Sequence, residues 1–243
     1  MADDGYFGED VAATYDAATS GQHDESVIDC IVDVLAGLAG DGRALEFGVG
    51  TGRIALPLSR RGVDVHGIDL SKAMVARMRE KPGGAAIGVT IGDFADTRVP
   101  GTFSLTYLVF NTIGNLTTQD AQVACFVNAA EHLMAGGSFV IEVGVPALRF
   151  LPPGQRAVPF DVGDEWWAYD LYDCADQSMS SNYVDEYDGQ TRLRSMPFRY
   201  VWPSELDLMA RIAGLRLRER WGGWSREPFT AESKRHVSVY EKP

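Results

Sequence analysis

The sequence predicts an α/β fold: a seven-stranded, mostly parallel sheet with helices on both faces, plus an antiparallel β cap inserted late in the chain. Three observations carry this reading. Between about residues 24 and 145, short apolar strands alternate with segments of helical period. From about 150 to 201 that alternation stops, and aromatic-rich strands follow one another around a turn at Asp188-Gly189. At Pro203, a good first helical residue, the helix–strand pattern returns. The expected division is a core of residues 1–149 and 202–243 and a cap of residues 150–201.

The elements follow in order. The first stretch, to about residue 22, is polar and reads as irregular, with aromatics at Tyr6, Phe7 and Tyr15. Val27, Ile28, Ile31, Val32, Leu35 and Leu38 recur at helical spacing and place a helix from about Asp24 to Leu38, with Gly40 just past it. Ala44 to Phe47 is a short strand, Thr51 to Arg61 a helix stopped by Gly62, and Val63 to Ile68 a second strand. Ser71 caps a helix running to about Glu80, and Ala86 to Ile91 is the third strand. Phe103 to Phe110 is apolar throughout, as suits a strand covered on both faces. A helix from Asp120 to Met134 stops at Gly136-Gly137, and Phe139 to Val143 is the fifth core strand. In the cap, Trp166 to Tyr172, Ser178 to Tyr187 and Thr191 to Tyr200 read as a meander. A helix from Pro203 to Ala213 precedes strands at Leu215 to Trp221 and His236 to Tyr240. The last is expected to run antiparallel between the strands at 139–143 and 215–221.

Composition narrows the function. The 243 residues, 45% hydrophobic, suit a folded domain and exclude a disordered or collagen-like chain. Twenty-two Lys and Arg against 34 Asp and Glu leave a net charge of −12, which repels phosphate backbones and argues against a nucleic-acid partner. Cys30, Cys125 and Cys174 are odd in number and far apart, so neither a structural zinc site nor a disulfide framework is readable, and a cytoplasmic setting fits. The acidic N-terminus leads into no apolar core, and no apolar run approaches the ~20 residues that span a bilayer; neither a signal peptide nor membrane insertion is expected.

The densest chemical signal is Leu45-Glu46-Phe47-Gly48-Val49-Gly50-Thr51-Gly52-Arg53, which leaves a strand and enters a helix. Glycines there let the backbone turn tightly and approach a ligand, and a helix N-terminus favours an anionic group. Asp69, at the end of the second strand, can accept from both hydroxyls of a ribose. A bound nucleoside cofactor follows. Its identity stays open on this geometry alone, because a nicotinamide-dependent oxidoreductase or a non-catalytic nucleoside-binding protein uses the same parts. The spacing G-x-G-x-G does depart from the dinucleotide pattern G-x-G-x-x-G.

With these residues in view, the sequence resembles the class I S-adenosylmethionine-dependent methyltransferases, which have a Rossmann-like fold. Glu46 to Gly52 matches their first motif, and Asp69 their acidic ribose ligand. Gly92-Asp93-Phe94 is similar to their third-strand motif, and His132 to Phe139 to their turn into the fifth strand. The resemblance covers residues 40–145 and 203–241. Phe103-Ser104 departs from the usual Phe-Asp.

The resemblance implies S-adenosyl-L-methionine as cofactor. Gly48, Gly50 and Gly52 would pass beneath its methionine part, following Glu46. Arg53 would pair with its carboxylate or stand solvated on the helix. Asp69 would hold the ribose, Asp93 would accept from the adenine amino group, and Phe94 would cover the ring. Leu70 and Met74 would be adenine contacts or plain helix packing. Tyr15, beside Asp16, would lie in an N-terminal segment folded over the cofactor. The backbone at Phe110 and Asn111 would face the transferring methyl group.

Phe110-Asn111-Thr112-Ile113-Gly114 lacks the Asn/Asp-Pro-Pro-Tyr motif of nucleic-acid amino-methyltransferases and the clustered carboxylates of metal-dependent O-methyltransferases, so no metal is expected. A small organic methyl acceptor is left, taken on nitrogen or oxygen. The layout is similar to small methyltransferases of bacterial secondary metabolism, including those acting on amino sugars. Aromatic residues of the cap, among them Phe160, Trp166, Trp167, Tyr169 and Tyr172, would face that acceptor or form a homodimer surface. His236, at the start of the last strand, oriented by Glu142 near the end of the fifth, is the candidate general base; a structural hydrogen-bonding histidine is the alternative.

Overall fold

The computed structural model describes residues 5–19, 25–163, 166–187 and 189–243. Asp24 and Asp188, at the expected helix start and cap turn, lie outside them. Five strands of the core come first: β1 (Ala44–Phe47), β2 (Val65–Asp69), β3 (Gly88–Ile91), β4 (Phe103–Leu108) and β5 (Leu133–Gly144). The cap contributes β6 (Ala157–Val162), β7 (Trp166–Tyr172), β8 (Ser178–Tyr187) and β9 (Gln190–Arg199), and the chain ends with β10 (Arg216–Trp221) and β11 (Arg235–Glu241). One sheet runs β10-β11-β5-β4-β1-β2-β3, the other β6-β7-β8-β9. β11 pairs antiparallel with both β5 and β10, as the sequence predicts, and β1 to β5 are parallel.

The apolar runs are explained by helices on both faces. All four residues of β1 are buried, and Leu105 and Tyr107 of β4 join one core while Leu108 joins the other. The first core is closed by α2 (Glu25–Ala39) and the second by α5 (Gln119–His132) and α6 (Pro203–Ile212). No helix among the described residues is long and apolar enough to cross a membrane.

Several boundaries differ from the sequence reading. The N-terminal stretch is not irregular: a 3-10 turn at Gly5–Phe7 leads into helix α1 (Glu9–Thr19). Its own apolar stripe is weak. It is held by packing of Ala12, Phe7 and Tyr15 against Ala73 and Met74 of α4 (Lys72–Glu80), and Glu9 and Asp10 suit its positive N-terminal end. The helix after the glycine loop, α3, spans only Ala55–Arg60, because Gly50 and Gly52 take positive φ and cannot begin it. β4 ends at Leu108, since Phe110 and Asn111 both turn into the left-handed region at φ 56° and 60°. The cap has a fourth strand, β6, hidden in the sequence by Pro159; it lies at the sheet edge, beside a register shift, where proline is tolerated.

The cap is fastened to the core by a buried polar knot. Arg199, at the end of β9, donates to Gln122 of α5 at 2.6 Å and pairs with Glu205 of α6 at 2.7 Å. The Gln122 amide returns a bond to the Arg199 carbonyl at 3.2 Å. These contacts bring β9 against the C-terminal ends of the parallel strands, where open α/β sheets bind ligands.

Candidate active site

The loop after β1 is pinned to β2. Gly48 and Val49 donate to the Ile68 carbonyl at 2.8 and 3.2 Å, and Gly50 donates to Asp69 Oδ2 at 2.6 Å. Gly48 and Gly50 have φ of 73° and 52°, and a Cβ on Gly48 would stand 3.0 Å from Thr112. The backbone is thereby exposed to a cavity of about 270 Å3. Gly48, Gly50, Asp69, Leu70, Met74, Asp93, Phe94 and Tyr15 all line it. These eight positions, singled out in the sequence, are brought together.

Each side chain has a local reason for its place. Asp69 accepts from Ser71 N on Oδ1 at 2.8 Å and from Gly50 on Oδ2 at 2.6 Å, which aims the carboxylate across the end of β2. Asp93 accepts from Ala95 N at 2.8 Å, and its side chain is otherwise exposed. Phe94 stacks on Phe47 with centroids 6.0 Å apart, so its ring is a fixed apolar plate. Tyr15 is brought over the cavity by α1, and burial raises its phenol pKa.

Other sequence-predicted positions lie elsewhere. Glu46 does not reach the cavity: it is buried beneath the loop, accepting from Tyr107 at 2.9 Å, and burial pushes its carboxyl pKa up to about 8. Gly52 is a packing glycine, where a Cβ would come 2.6 Å from Met78 Cγ and 3.0 Å from Leu56. The Arg53 guanidinium stands over the Tyr15 and Phe110 rings at 5.2 and 5.5 Å, behind the cavity lining. Phe110 is held by its backbone N–H, which donates to Glu142 Oε2 at 3.0 Å. Asn111 accepts from Gly144 N at 3.0 Å and lines a second cavity of about 430 Å3, between the ends of β4 and β5 and the cap.

The His236–Glu142 pairing is corrected by the register. Glu142 lies opposite Val237, and His236 opposite Val143, so the two side chains project from opposite faces of the sheet. His236 is fully buried, its Nδ1 2.9 Å from Ser238 Oγ and its ring edge-on to Phe229. Burial, with Arg220 nearby, lowers its pKa to about 4. It lines neither of these two cavities, so the structure does not place it as a general base. Glu142 is 4% exposed and holds the left-handed turn at Phe110 in place while facing Arg235 at 3.5 Å.

The cavity also has walls that sequence reasoning missed. Tyr6 and Phe7 enter from the N-terminal turn, Thr112 and Asn115 from the segment after β4, and Met196 and Pro197 from β9 of the cap. The aromatics at 6 and 7 were visible as residues, but only the fold of α1 shows where they go. Among the described residues no group of three or more His, Cys, Asp or Glu could hold a metal ion.

A carboxylate at the end of β2, an apolar plate after β3 and an open glycine backbone after β1 suit a nucleoside with a charged tail, and comparison with known proteins says which. A methyltransferase domain family matches residues 44–137. The CcbJ methyltransferase of Streptomyces caelestis is similar along the whole chain, at 34% identity, 99% coverage of both chains and a TM-score of 0.85. The cypemycin N-terminal methyltransferase of a Streptomyces species is 29% identical over 209 residues, or 83% of this chain and 84% of that protein. CalS10 of Micromonospora echinaspora, an amino pentose methyltransferase involved in calicheamicin biosynthesis and solved with S-adenosylmethionine bound, shares the fold at a TM-score of 0.70 and 19% identity, covering 95% of this chain and 97% of its own.

The protein is thus an S-adenosylmethionine-dependent transferase. The chain belongs to the class I S-adenosylmethionine-dependent methyltransferases, S-adenosyl-L-methionine is its cofactor, and the oxidoreductase and non-catalytic alternatives fall.

Proposed function

We propose that this enzyme methylates a nitrogen or oxygen atom of a small organic molecule held between the core and the cap. One observation carries the reading: a single face of the cap sheet serves both cavities. Met196 lines the first, while Phe198, Met179, Tyr172 and Asp170 line the second. An acceptor in the second cavity is therefore bounded by the same sheet that closes the cofactor cavity. The net charge of −12 disfavours a nucleic-acid acceptor. The acceptor atom favoured is nitrogen, because the cypemycin enzyme is named for methylation at an N-terminus.

When bound, the cofactor supplies an electrophilic methyl group on a sulfonium. The chain's part is to bind, orient and exclude water. Asp69 holds the ribose hydroxyls and Asp93 the adenine amino group. Phe94, Leu70 and Met74 enclose the adenine, and the open backbone at Gly48 and Gly50 lets the tail approach. Tyr15, backed by Arg53, covers the other side. Alignment of two reactants in a dry site accounts for much of the rate of such a displacement.

The test is transfer of label from methyl-labelled S-adenosylmethionine into matched amines, alcohols, RNA and protein. Label in small amines or alcohols is the expected result. Label only in macromolecules would contradict the reading.

A further inference from the structure

We propose that Asp170 is an acceptor-binding residue, and that the acceptor presents it with a basic amine. The inference rests on the methyltransferase reading and names the substrate class of its second cavity.

The argument starts from strand register. Across the cap sheet Val158 pairs with Asp170, Asp170 with Ser181, and Ser181 with Met196. Directly paired residues share a face, so these four form one row, and the 2.7 Å bond from Ser181 Oγ to Asp170 Oδ1 follows from it. The row links the cavities: Val158 and Asp170 line the second, and Met196 lines the first. Asp170 and Met196 are two strand spacings apart, about 10 Å. Tyr183, two residues beyond Ser181 on the same face, lies within electrostatic reach of Asp170 on one side and of Tyr6 and Tyr15 on the other.

The charge pattern gives the ligand class. Asp170 is the carboxylate among the residues lining the second cavity, and it makes no ion pair among the described residues. Its partners among the described residues are two hydroxyls, Ser181 and, at 3.4 Å, Tyr172. The cavity's cations do not neutralise it. Arg199 is committed to Gln122 and Glu205, Arg149 donates to the Ala231 and Glu232 carbonyls, and Lys234 is exposed at the rim. Burial raises the Asp170 pKa, against the two hydroxyl hydrogen bonds. A half-buried carboxylate on an aromatic wall (Phe198, Tyr172, Phe160) is complementary to an amine on an apolar skeleton. The amine N–H groups donate to Asp170. A proton leaving that nitrogen has the same acceptor: the N–H bond breaks with its electron pair left on nitrogen, and an O–H bond forms on Asp170.

The experiment measures binding to the enzyme saturated with S-adenosylhomocysteine. The probes are small cyclic and aryl amines, each paired with the alcohol of the same skeleton, such as cyclohexylamine with cyclohexanol and benzylamine with benzyl alcohol. Amines should bind at least tenfold tighter than their alcohols to the unaltered enzyme. Asp170→Asn, which keeps the acceptor for Ser181, should abolish that preference while S-adenosylhomocysteine affinity stays unchanged. Amines bound no better than alcohols by the unaltered enzyme, total absence of binding included, would overturn the proposal without needing the variant. An unchanged preference in a folded Asp170→Asn protein would overturn it too. If S-adenosylhomocysteine itself fails to bind, the cofactor-site reading falls, a separate and prior failure.

Discussion

The carboxylate of Asp69 accepts the backbone N–H of Gly50 at 2.6 Å, so the end of β2 fixes the turn that leaves β1. Its other oxygen accepts from Ser71, whose own hydroxyl caps α4 through Met74 N at 3.0 Å. One side chain thus sets the spacing of glycine loop, strand end and helix start. On the placement proposed above, a cofactor arriving there would meet groups already in position, which lowers the ordering cost of binding.

Glu46 should make the protein less stable in mild alkali. Burial favours its neutral form and raises its pKa from the usual 4.5 to about 8. The folded state therefore holds this proton more tightly than the unfolded chain. The stability contribution is full below the unfolded value and is lost as pH rises through about 8. Urea midpoints of the unaltered protein should fall between about pH 6 and pH 9, and those of Glu46→Gln, which cannot ionise, should fall clearly less. Parallel curves would show that Glu46 is not the group responsible.

Arg199→Met should loosen the cap. Arg199 and Glu205 have side chains only 5% and 15% exposed, so removing the guanidinium strands a buried carboxylate. The expected cost is about 3–5 kcal/mol in urea unfolding. Burial works to raise the Glu205 pKa, but hydrogen bonds from Gln177, Arg199 and Gln119 outweigh it and hold the value below normal. This contribution is present above the unfolded carboxylate pKa and is lost as pH falls through the depressed one. The variant should therefore lose part of the acid-side slope. A cost under about 1 kcal/mol would mean the knot is solvated.

His236→Ala should affect stability more than catalysis. The side chain is sealed under the sheet between Ser238 and Phe229, and its truncation should cost about 1–3 kcal/mol. With its pKa lowered to about 4, the ring is neutral in the folded state, and its contribution is full above about 6.5 and lost as pH falls toward 4. Turnover should change less than about tenfold. A drop of about 10²-fold or more in kcat at unchanged stability would restore the base assignment.

The core was legible because its determinants are local. Unbroken apolar runs such as Phe103–Leu108 mark strands covered on both faces, and the Ser71 hydroxyl and Gly62 punctuate helices through their own backbone chemistry. The glycine-loop positions that line the first cavity were legible because a turn needing positive φ at Gly48 and Gly50 admits few residues. What was not legible depends on distant partners. Helix α1 carries little apolar period and is fixed by α4, and β6 carries a proline that only an edge strand accepts. The failure at His236 is one of parity. Which face a strand residue occupies is set by register with β5, and that register gives Arg235 and Val237, not His236, the same face as Glu142. Met196 and Pro197 line the first cavity because Arg199 anchors β9, a contact 77 residues from Gln122 in the chain.

The most direct test is calorimetric titration of S-adenosylhomocysteine into the unaltered protein and into Asp69→Ala. The account predicts one saturable site in the unaltered protein and a loss of about 1.5–3 kcal/mol in the variant, roughly 10- to 150-fold in Kd, from removal of the paired charge-assisted bonds to the ribose. An Asp69→Ala protein that is folded and binds S-adenosylhomocysteine as tightly as the unaltered enzyme would contradict the placement of the cofactor between the glycine loop and the end of β2.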